Sequence, residues 1–161
     1  MNIKKVATVA LATSMIFGMV ACKNASAASE TTGVPEILVE ESGVIGGIKY
    51  TINECELQKY QINMLSKGGY YIDALEQDDS PEFVFISSGK KDTTGYGIYV
   101  QNIEIDDSNN VTITVFETEP AKGDETEKEK SYPAVVVEFE EFVASVKVVG
   151  GDGTEYAMAS I

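Results

Sequence analysis

The 161-residue sequence contains no histidine, no arginine and no tryptophan, and only two cysteines, Cys22 and Cys55. Without histidine, neither a Ser-His-Asp nor a Cys-His catalytic unit can be built. The usual zinc ligand sets are excluded for the same reason. Paired carboxylates can perform acid–base chemistry, and an acidic chain always offers candidates for it. We nevertheless expect a protein that is not an enzyme and that holds no cofactor and no metal ion.

Positive charge is also scarce, because all 12 basic residues are lysines and face 26 acidic residues, for a formal charge of −14. A surface of this sign repels phosphate backbones, so nucleic acid is not an expected partner. It also weakens electrostatic attachment to anionic lipid. The acidic stretches Asp106-Asp107 and Glu117–Lys130 lack the regular Asp/Asn, Gly and Glu spacing of a calcium loop, which agrees with a protein without a metal site.

The first 21 residues are typical of a bacterial secretory signal. Lys4 and Lys5 precede the apolar run Val6–Val20, which is too short for a comfortable membrane span. The run ends in Met19-Val20-Ala21-Cys22, which resembles a lipobox, although leucine is more usual than Met19. That resemblance implies cleavage before Cys22 and lipidation of Cys22 on the extracytoplasmic face of a bacterial membrane. Ordinary cleavage after Ala27 is the alternative, since Ala25-Ser26-Ala27 has the required small residues.

The remaining chain divides into a tether and one domain. Residues 22–35 are small and polar, which predicts a flexible tether. Residues 36–161 are long enough for a single globular domain. Cys55 lies in the predicted helix described next, where we expect a quiet thiol.

One segment has the periodicity of a packed helix. The residues at helical spacing are Leu57, Tyr60, Gln61, Met64 and Leu65. Thr51 stands three residues before Glu54, as in a capping box, and Gly68-Gly69 follows the pattern. We therefore predict a helix over Thr51–Lys67, after a first short strand over Glu36–Glu41.

The rest of the domain shows strand patterns. Apolar runs occur at Tyr70–Leu75, Phe83–Ile86, Ile98–Ile105, Val111–Phe116, Ala134–Phe139 and Ala144–Val149, and polar turns separate them. Phe83–Ile86 is apolar on both faces, which predicts an interior strand. The apolar parity changes near Gln101-Asn102, which predicts a β-bulge, and the glycine-rich tail after Val149 is expected to fray or to add an edge strand. The fold class predicted is mainly β (α+β): an antiparallel sheet or small β-sandwich with one short N-terminal packed helix, preceded by the signal peptide and tether.

The segment 83–149 resembles the C-terminal domain family of the protease-complex subunit PrcB. The similarity rests on FVFISSGKKDTTGYGIYV, VTITVFETEPAKGD and SYPAVVVEF, which follow the order and spacing of the family pattern. Three details depart from that pattern: Thr94 replaces a glycine, Lys91-Asp92 replaces Lys-Pro, and the Pro-Gly pair is stretched to Pro120–Gly123. The resemblance implies an exported, lipid-anchored accessory protein without catalytic activity, which binds a secreted protease or its complex.

Loops on a rigid sheet commonly carry binding residues, and we take the loop end of this segment as the predicted partner-binding surface. Its residues are Asp92, Thr93, Thr94, Gly95, Tyr96, Gly123, Asp124, Tyr132 and Pro133. Gly95 and Gly97 are expected to adopt backbone angles that other residues avoid. The strand parity places Tyr96 on the same face as Ile98 and Val100, which predicts that its ring anchors the core.

An alternative function comes from a second similarity. Thr93-Thr94-Gly95-Tyr96 is similar to the first loop of chagasin-type inhibitors of papain-like cysteine proteases. That family also uses an Arg-Pro-Trp loop, which this sequence cannot form because it has neither arginine nor tryptophan. Inhibition of a cysteine protease through the Thr93–Tyr96 loop is therefore the alternative to partner binding.

Overall fold

The computed structural model describes residues 36–74 and 82–159, all within one compact unit. The predicted signal peptide 1–21 and tether 22–35, including Cys22 and both cleavage sites, lie outside the described residues. So does the polar segment 76–81 between two of the predicted strands. Within the described ranges, no helix is long and apolar enough to cross a bilayer.

The described part of the chain forms eight strands and one short helix. In chain order these are β1 (Ser42–Ile45), β2 (Ile48–Glu54), α1 (Lys59–Leu65), β3 (Gly69–Ala74), β4 (Glu82–Ser87), β5 (Gly97–Ile105), β6 (Asn110–Thr118), β7 (Ala134–Phe139) and β8 (Ser145–Gly150). This composition confirms the predicted mainly-β class with a single short helix.

The strands build two sheets that share one core. The larger sheet has the order β1-β2-β7-β4-β3 and is antiparallel throughout. The smaller sheet has the order β5-β6-β8, in which β8 runs parallel to β6. Buried side chains of both sheets, such as Val84 and Val137 from one and Val100 and Ile113 from the other, belong to a single cluster. The domain is therefore a β-sandwich, and β4 has the predicted interior position.

The bulge in β5 keeps the apolar face of this strand on the core. Val100 pairs with Val115 and Asn102 pairs with Thr114, so Gln101 is the extra residue. Val100 and Ile103 are consequently both buried although they are three residues apart. The predicted bulge is confirmed. Gln101 also holds the N-terminal segment, because its carbonyl oxygen accepts a hydrogen bond from Leu38 N at 2.8 Å.

The N-terminal region corrects two predictions. The predicted strand over Glu36–Glu41 does not form, and the first strand is Ser42–Ile45 instead. The predicted helix start at Thr51 is wrong, because β2 continues through Glu54 and pairs with β7. β-Branched residues such as Ile52 favour this paired conformation, and the packing of Ile52 against the core outweighs the local capping signal.

The helix α1 covers only Lys59–Leu65 of the predicted range Thr51–Lys67. It begins after Gln58, whose backbone N donates to the side-chain oxygen of Gln61 at 2.7 Å. Gln61 and Leu65 are buried, whereas Tyr60 is 46% exposed and Leu57 precedes the helix. The helix is followed by Gly68 with φ of +83°, as the glycine pair predicted.

The C-terminal segment joins the two sheets. Tyr156 N donates to Val148 O of β8 at 2.9 Å, and Tyr70 N of β3 donates to Ala157 O at 3.0 Å. Ala159 N returns a bond to Tyr70 O at 2.8 Å. Residues 151–159 therefore cover parts of one edge of each sheet through isolated bridges, without forming the full edge strand that was one of the two expectations.

Candidate functional site

The sheet topology brings two loops together. The first loop, residues 88–96, leads from β4 in the larger sheet to β5 in the smaller one, and the second loop, residues 119–133, leads back from β6 to β7. The last residue of β4 pairs with the first residue of β7, and the first residue of β5 pairs with the last residue of β6. Both loops therefore start and end beside each other at one end of the sandwich.

Hydrogen bonds join the two loops along much of their length. Lys91 and Ser131 exchange backbone bonds at 2.9 and 3.2 Å. Ser131 Oγ donates to Thr93 O at 2.7 Å. Thr94 N donates to Glu127 O at 3.1 Å, and Glu127 N donates to Thr94 Oγ1 at 2.9 Å. The two loops thus form one continuous surface, and the threonines of the first loop are used to attach it to the second.

A glycine permits the close approach of the loops. Gly95 has φ of +94°, and a Cβ at this position would lie 3.1 Å from Pro120 Cβ and 3.3 Å from Thr126 Cγ2. The expected unusual backbone angle is confirmed for Gly95. For Gly97 it is wrong, because the φ of Gly97 does not fall in the left-handed region.

Lys91 connects the loops to the rest of the domain. Its Nζ lies 5.2 Å from the centroid of the Tyr96 ring and 3.1 Å from Glu117 Oε2. The other carboxylate oxygen of Glu117 accepts a bond from Tyr156 Oη at 2.7 Å. Burial raises the pKa of Tyr156, and the neighbouring Glu117 carboxylate raises it further. Tyr96 thus makes a cation–π contact with Lys91. Lys91 in turn is held by Glu117, whose carboxylate makes one charge-assisted bond to Lys91 and another to Tyr156.

A groove of about 420 Å³ lies between the loop end and the end of β2. Its lining includes three tyrosines, one proline and two carboxylates: Tyr96, Tyr99, Tyr132, Pro133, Glu54 and Glu56. The end of β2 reaches this place because Glu54 pairs with Val135, and Cys55 N donates to Ala134 O at 3.4 Å. The groove is therefore built by the ends of three strands, β2, β5 and β7, together with both loops.

Tyr99 forms one wall of the groove by lying across a glycine. A Cβ at Gly97 would be 2.7 Å from Tyr99 Cε2 and 2.8 Å from Tyr99 Oη. The Tyr99 ring also stacks on Phe116 with a centroid distance of 5.2 Å, and 39% of the residue remains exposed. A side chain at Gly97 would therefore displace the Tyr99 ring from this position, and the ring is partly exposed to solvent.

The model of the PrcB C-terminal family matches residues 83–140. The match confirms the resemblance for this part of the chain, which we call the PrcB C-terminal segment. The PrcB C-terminal segment contains β4 to β7 and both loops, and it ends one residue after β7. β8, which the resemblance over 83–149 included, lies beyond the match. No curated protein matches the chain, and no solved structure does.

Several of the predicted site residues meet within the PrcB C-terminal segment. Thr93 and Thr94 contact the second loop, and the groove brings Tyr96 together with Tyr132 and Pro133. Asp92 is exposed and lies 3.8 Å from Lys90 Nζ. Gly123 and Asp124 form a separate exposed turn, in which Ala121 N donates to Asp124 Oδ2 at 2.7 Å.

Tyr96 corrects one prediction. It is half-buried and does not belong to the buried core cluster, so its ring does not anchor the core as the parity predicted. β5 begins at Gly97, and Tyr96 is therefore a loop residue to which strand parity does not apply.

Sequence reasoning missed the partners that complete the site, above all Tyr99, Lys91 and Glu117. Tyr99 could have been found, because an aromatic residue on the polar parity of a strand points away from the core. The role of Glu117 could not, since its contacts with Lys91 and Tyr156 join positions far apart in the sequence.

Cys55 is also one of the residues that line the groove. It follows β2 and precedes α1, so it is not on the helix as predicted. Burial raises the pKa of its thiol to about 11. A thiol with a raised pKa is mostly protonated at neutral pH, and the low reactivity of Cys55 stays a prediction.

A second cavity of about 660 Å³ lies beneath the C-terminal segment. Its carboxylates are already engaged: Asp152 accepts two bonds from Thr154, and Glu117 holds Tyr156 and Lys91. Ser88 Oγ, on its wall, is buried without a hydrogen-bond partner in the described part of the chain. This cavity therefore offers fewer free recognition groups than the groove.

Proposed function

We propose that this protein is a non-catalytic accessory protein that binds a protein partner through the surface made by the groove and the two loops. One observation carries the proposal: the PrcB C-terminal match begins in β4 and ends after β7, so it contains both loops and most of the groove. The loops are bonded to each other and mounted on paired strands, which gives them the rigidity that a recognition surface requires.

The proposed partner is a secreted protease or its complex, as the family resemblance implies. The absence of histidine from the whole sequence supports a role without catalysis. The proposed location is the extracytoplasmic face of a bacterial membrane, with lipid on Cys22 as the anchor. A lipobox-like sequence at Met19–Cys22 and the small polar residues that follow it support this part of the proposal.

Capture from the native envelope tests the proposal. The full-length chain with Cys22→Ala is immobilised and incubated with detergent-solubilised envelope, and bound proteins are identified by mass spectrometry. We expect a protease subunit to be enriched, and we expect Tyr132→Ala to lose it. Tyr60→Ala is the matched control, because Tyr60 is exposed and does not line the groove. Equal recovery by the two variants would contradict the proposed surface.

Titration against papain separates this function from inhibition of cysteine proteases. Thr93 O and Thr94 are bonded to the second loop, so the loop is attached along its length. We expect no inhibition at micromolar concentrations of the protein, and strong inhibition would favour the alternative.

A further inference from the structure

We infer that the groove binds an extended, proline-containing segment of the partner that carries basic residues beside its prolines. This inference rests on the proposed function, because it names the chemistry of the ligand for the same site. It is drawn from the aromatic lining, the hydroxyl groups and the charge of the groove.

The lining fits proline rings. The Tyr99 ring lies over Gly97, and Tyr132 and Pro133 line the same groove. A proline-rich segment adopts the polyproline II conformation without internal hydrogen bonds, and it packs its rings between aromatic side chains. Because this conformation already exists in the free peptide, little conformational entropy is lost on binding.

The tyrosines also supply hydrogen-bond donors. Carbonyl oxygens of a polyproline II segment are free to accept bonds, since the conformation satisfies none of them internally. The phenolic hydroxyls of Tyr99 and Tyr132 combine an apolar ring with such a donor. A groove with several tyrosines can therefore hold both the rings and the backbone of the ligand.

The negative charge of the groove favours basic residues beside the prolines of the ligand. Glu54 and Glu56 line the groove, and none of its described lining residues is basic. Lys91, the nearby lysine of the first loop, is directed to the Tyr96 ring and to Glu117. The whole chain carries a formal charge of −14, which adds long-range attraction for a positive ligand.

Amide chemical shifts of the labelled full-length Cys22→Ala chain, recorded during titration with synthetic peptides, test the inference. The probe peptide contains a Pro-x-x-Pro motif followed by lysine and arginine. One comparison peptide has both prolines replaced by alanine, and another has the basic residues replaced by glutamate. We expect the probe to shift the amides of Gly97–Tyr99, Tyr132 and Ala134. Each comparison peptide should bind about tenfold more weakly, which corresponds to ~1.4 kcal/mol.

Matched variants locate the contacts. Tyr99→Ala should lose the probe, whereas Tyr60→Ala should bind it normally, since both tyrosines are exposed but only Tyr99 lines the groove. Gly97→Ala should also weaken binding, because the added methyl group displaces the Tyr99 ring. Glu56→Gln should weaken binding more at low salt than at high salt, and Glu104→Gln, an equal charge change at an exposed residue of β5, should not.

Three results would overturn the inference: no shift with the probe, equal binding of the alanine peptide, or shifts that map outside the groove. Equal binding of the alanine peptide would indicate strand addition to a sheet edge instead of recognition of proline. Capture from the envelope tests the proposed function independently of the peptide titration. A partner that is captured through Tyr132 while the probe fails would leave the proposed function standing and remove only this inference.

Discussion

At Gly89 the backbone of the first loop packs against the backbone of Lys67 and Gly68, which follow α1, and substitution of Gly89 tests this contact. The φ of Gly89 is +81°, and a Cβ there would lie 2.6 Å from Gly68 N and 3.0 Å from Lys67 C. The next residue, Lys90, donates its backbone N to Ser66 O at 3.0 Å, so this backbone cannot move away without losing that bond. We predict that Gly89→Ala destabilises the domain through both the backbone angle and the overlap.

The magnitude follows from these two contributions. A left-handed conformation costs an alanine ~1–2 kcal/mol, and forcing an extra methyl group into packed backbone costs a further ~1–3 kcal/mol. Reduced freedom of the unfolded chain returns ~0.4–1 kcal/mol. Together these contributions give an expected loss in the free energy of unfolding of about 1–5 kcal/mol.

Gly153→Ala is the matched control for this substitution. Gly153 has φ of +85°, but a Cβ there would meet nothing within 4 Å. It should therefore show only the cost of the backbone angle, about 1 kcal/mol after the unfolded-state gain. Urea unfolding followed by circular dichroism measures both variants against the parent chain. Equal losses for the two variants would refute the close approach at Gly89.

Three further predictions concern single groups. In a Cys22→Ala background, Cys55 should react with iodoacetamide at pH 8 at least about tenfold more slowly in the folded chain than in the unfolded chain, because burial raises the pKa of its thiol to about 11. Equal rates in the two states would show an accessible thiolate. The hydrogen bonds from Asn110 and Ser108 lower the pKa of the Asp106 carboxyl in the folded protein. The carboxylate therefore stabilises the fold above its unfolded pKa of about 3.9, and this stabilisation is lost as the pH falls through the lower folded pKa. The difference in unfolding free energy between the parent chain and Asp106→Asn should therefore shrink below about pH 4, and a difference independent of pH would contradict this. Membrane fractionation of Cys22→Ala should show its release from the membrane fraction, and full retention would contradict the anchor.

Local patterns predicted the strands where tertiary pairing agreed with them. The parity change near Gln101 correctly located the bulge, because a bulge is the way to keep both halves of an apolar strand on the core. Asn109 adopts φ of +61° in the turn before β6, and asparagine is one of the residues that tolerate this conformation. In these cases the sequence signal and the final packing have the same physical origin.

Prediction failed where a distant strand decided the local conformation. Thr51–Glu54 carries a capping signal for a helix, yet the same residues pair with β7, more than 80 positions away. The juxtaposition of the two loops follows from the order of strands in both sheets, which no local pattern contains. Tyr96 was assigned to the core because its parity continues that of Ile98, but the strand begins one residue after it.

The central claim is that the groove is the surface that contacts the partner, and site-specific photo-crosslinking in the intact envelope tests it most directly. A photoreactive phenylalanine analogue replaces Tyr99 in one full-length variant and Tyr60 in another; both positions are exposed, and only Tyr99 lines the groove. We predict that irradiation joins the Tyr99 variant to a protease subunit and leaves the Tyr60 variant unlinked. An adduct from the Tyr60 position with none from the Tyr99 position would contradict the claim.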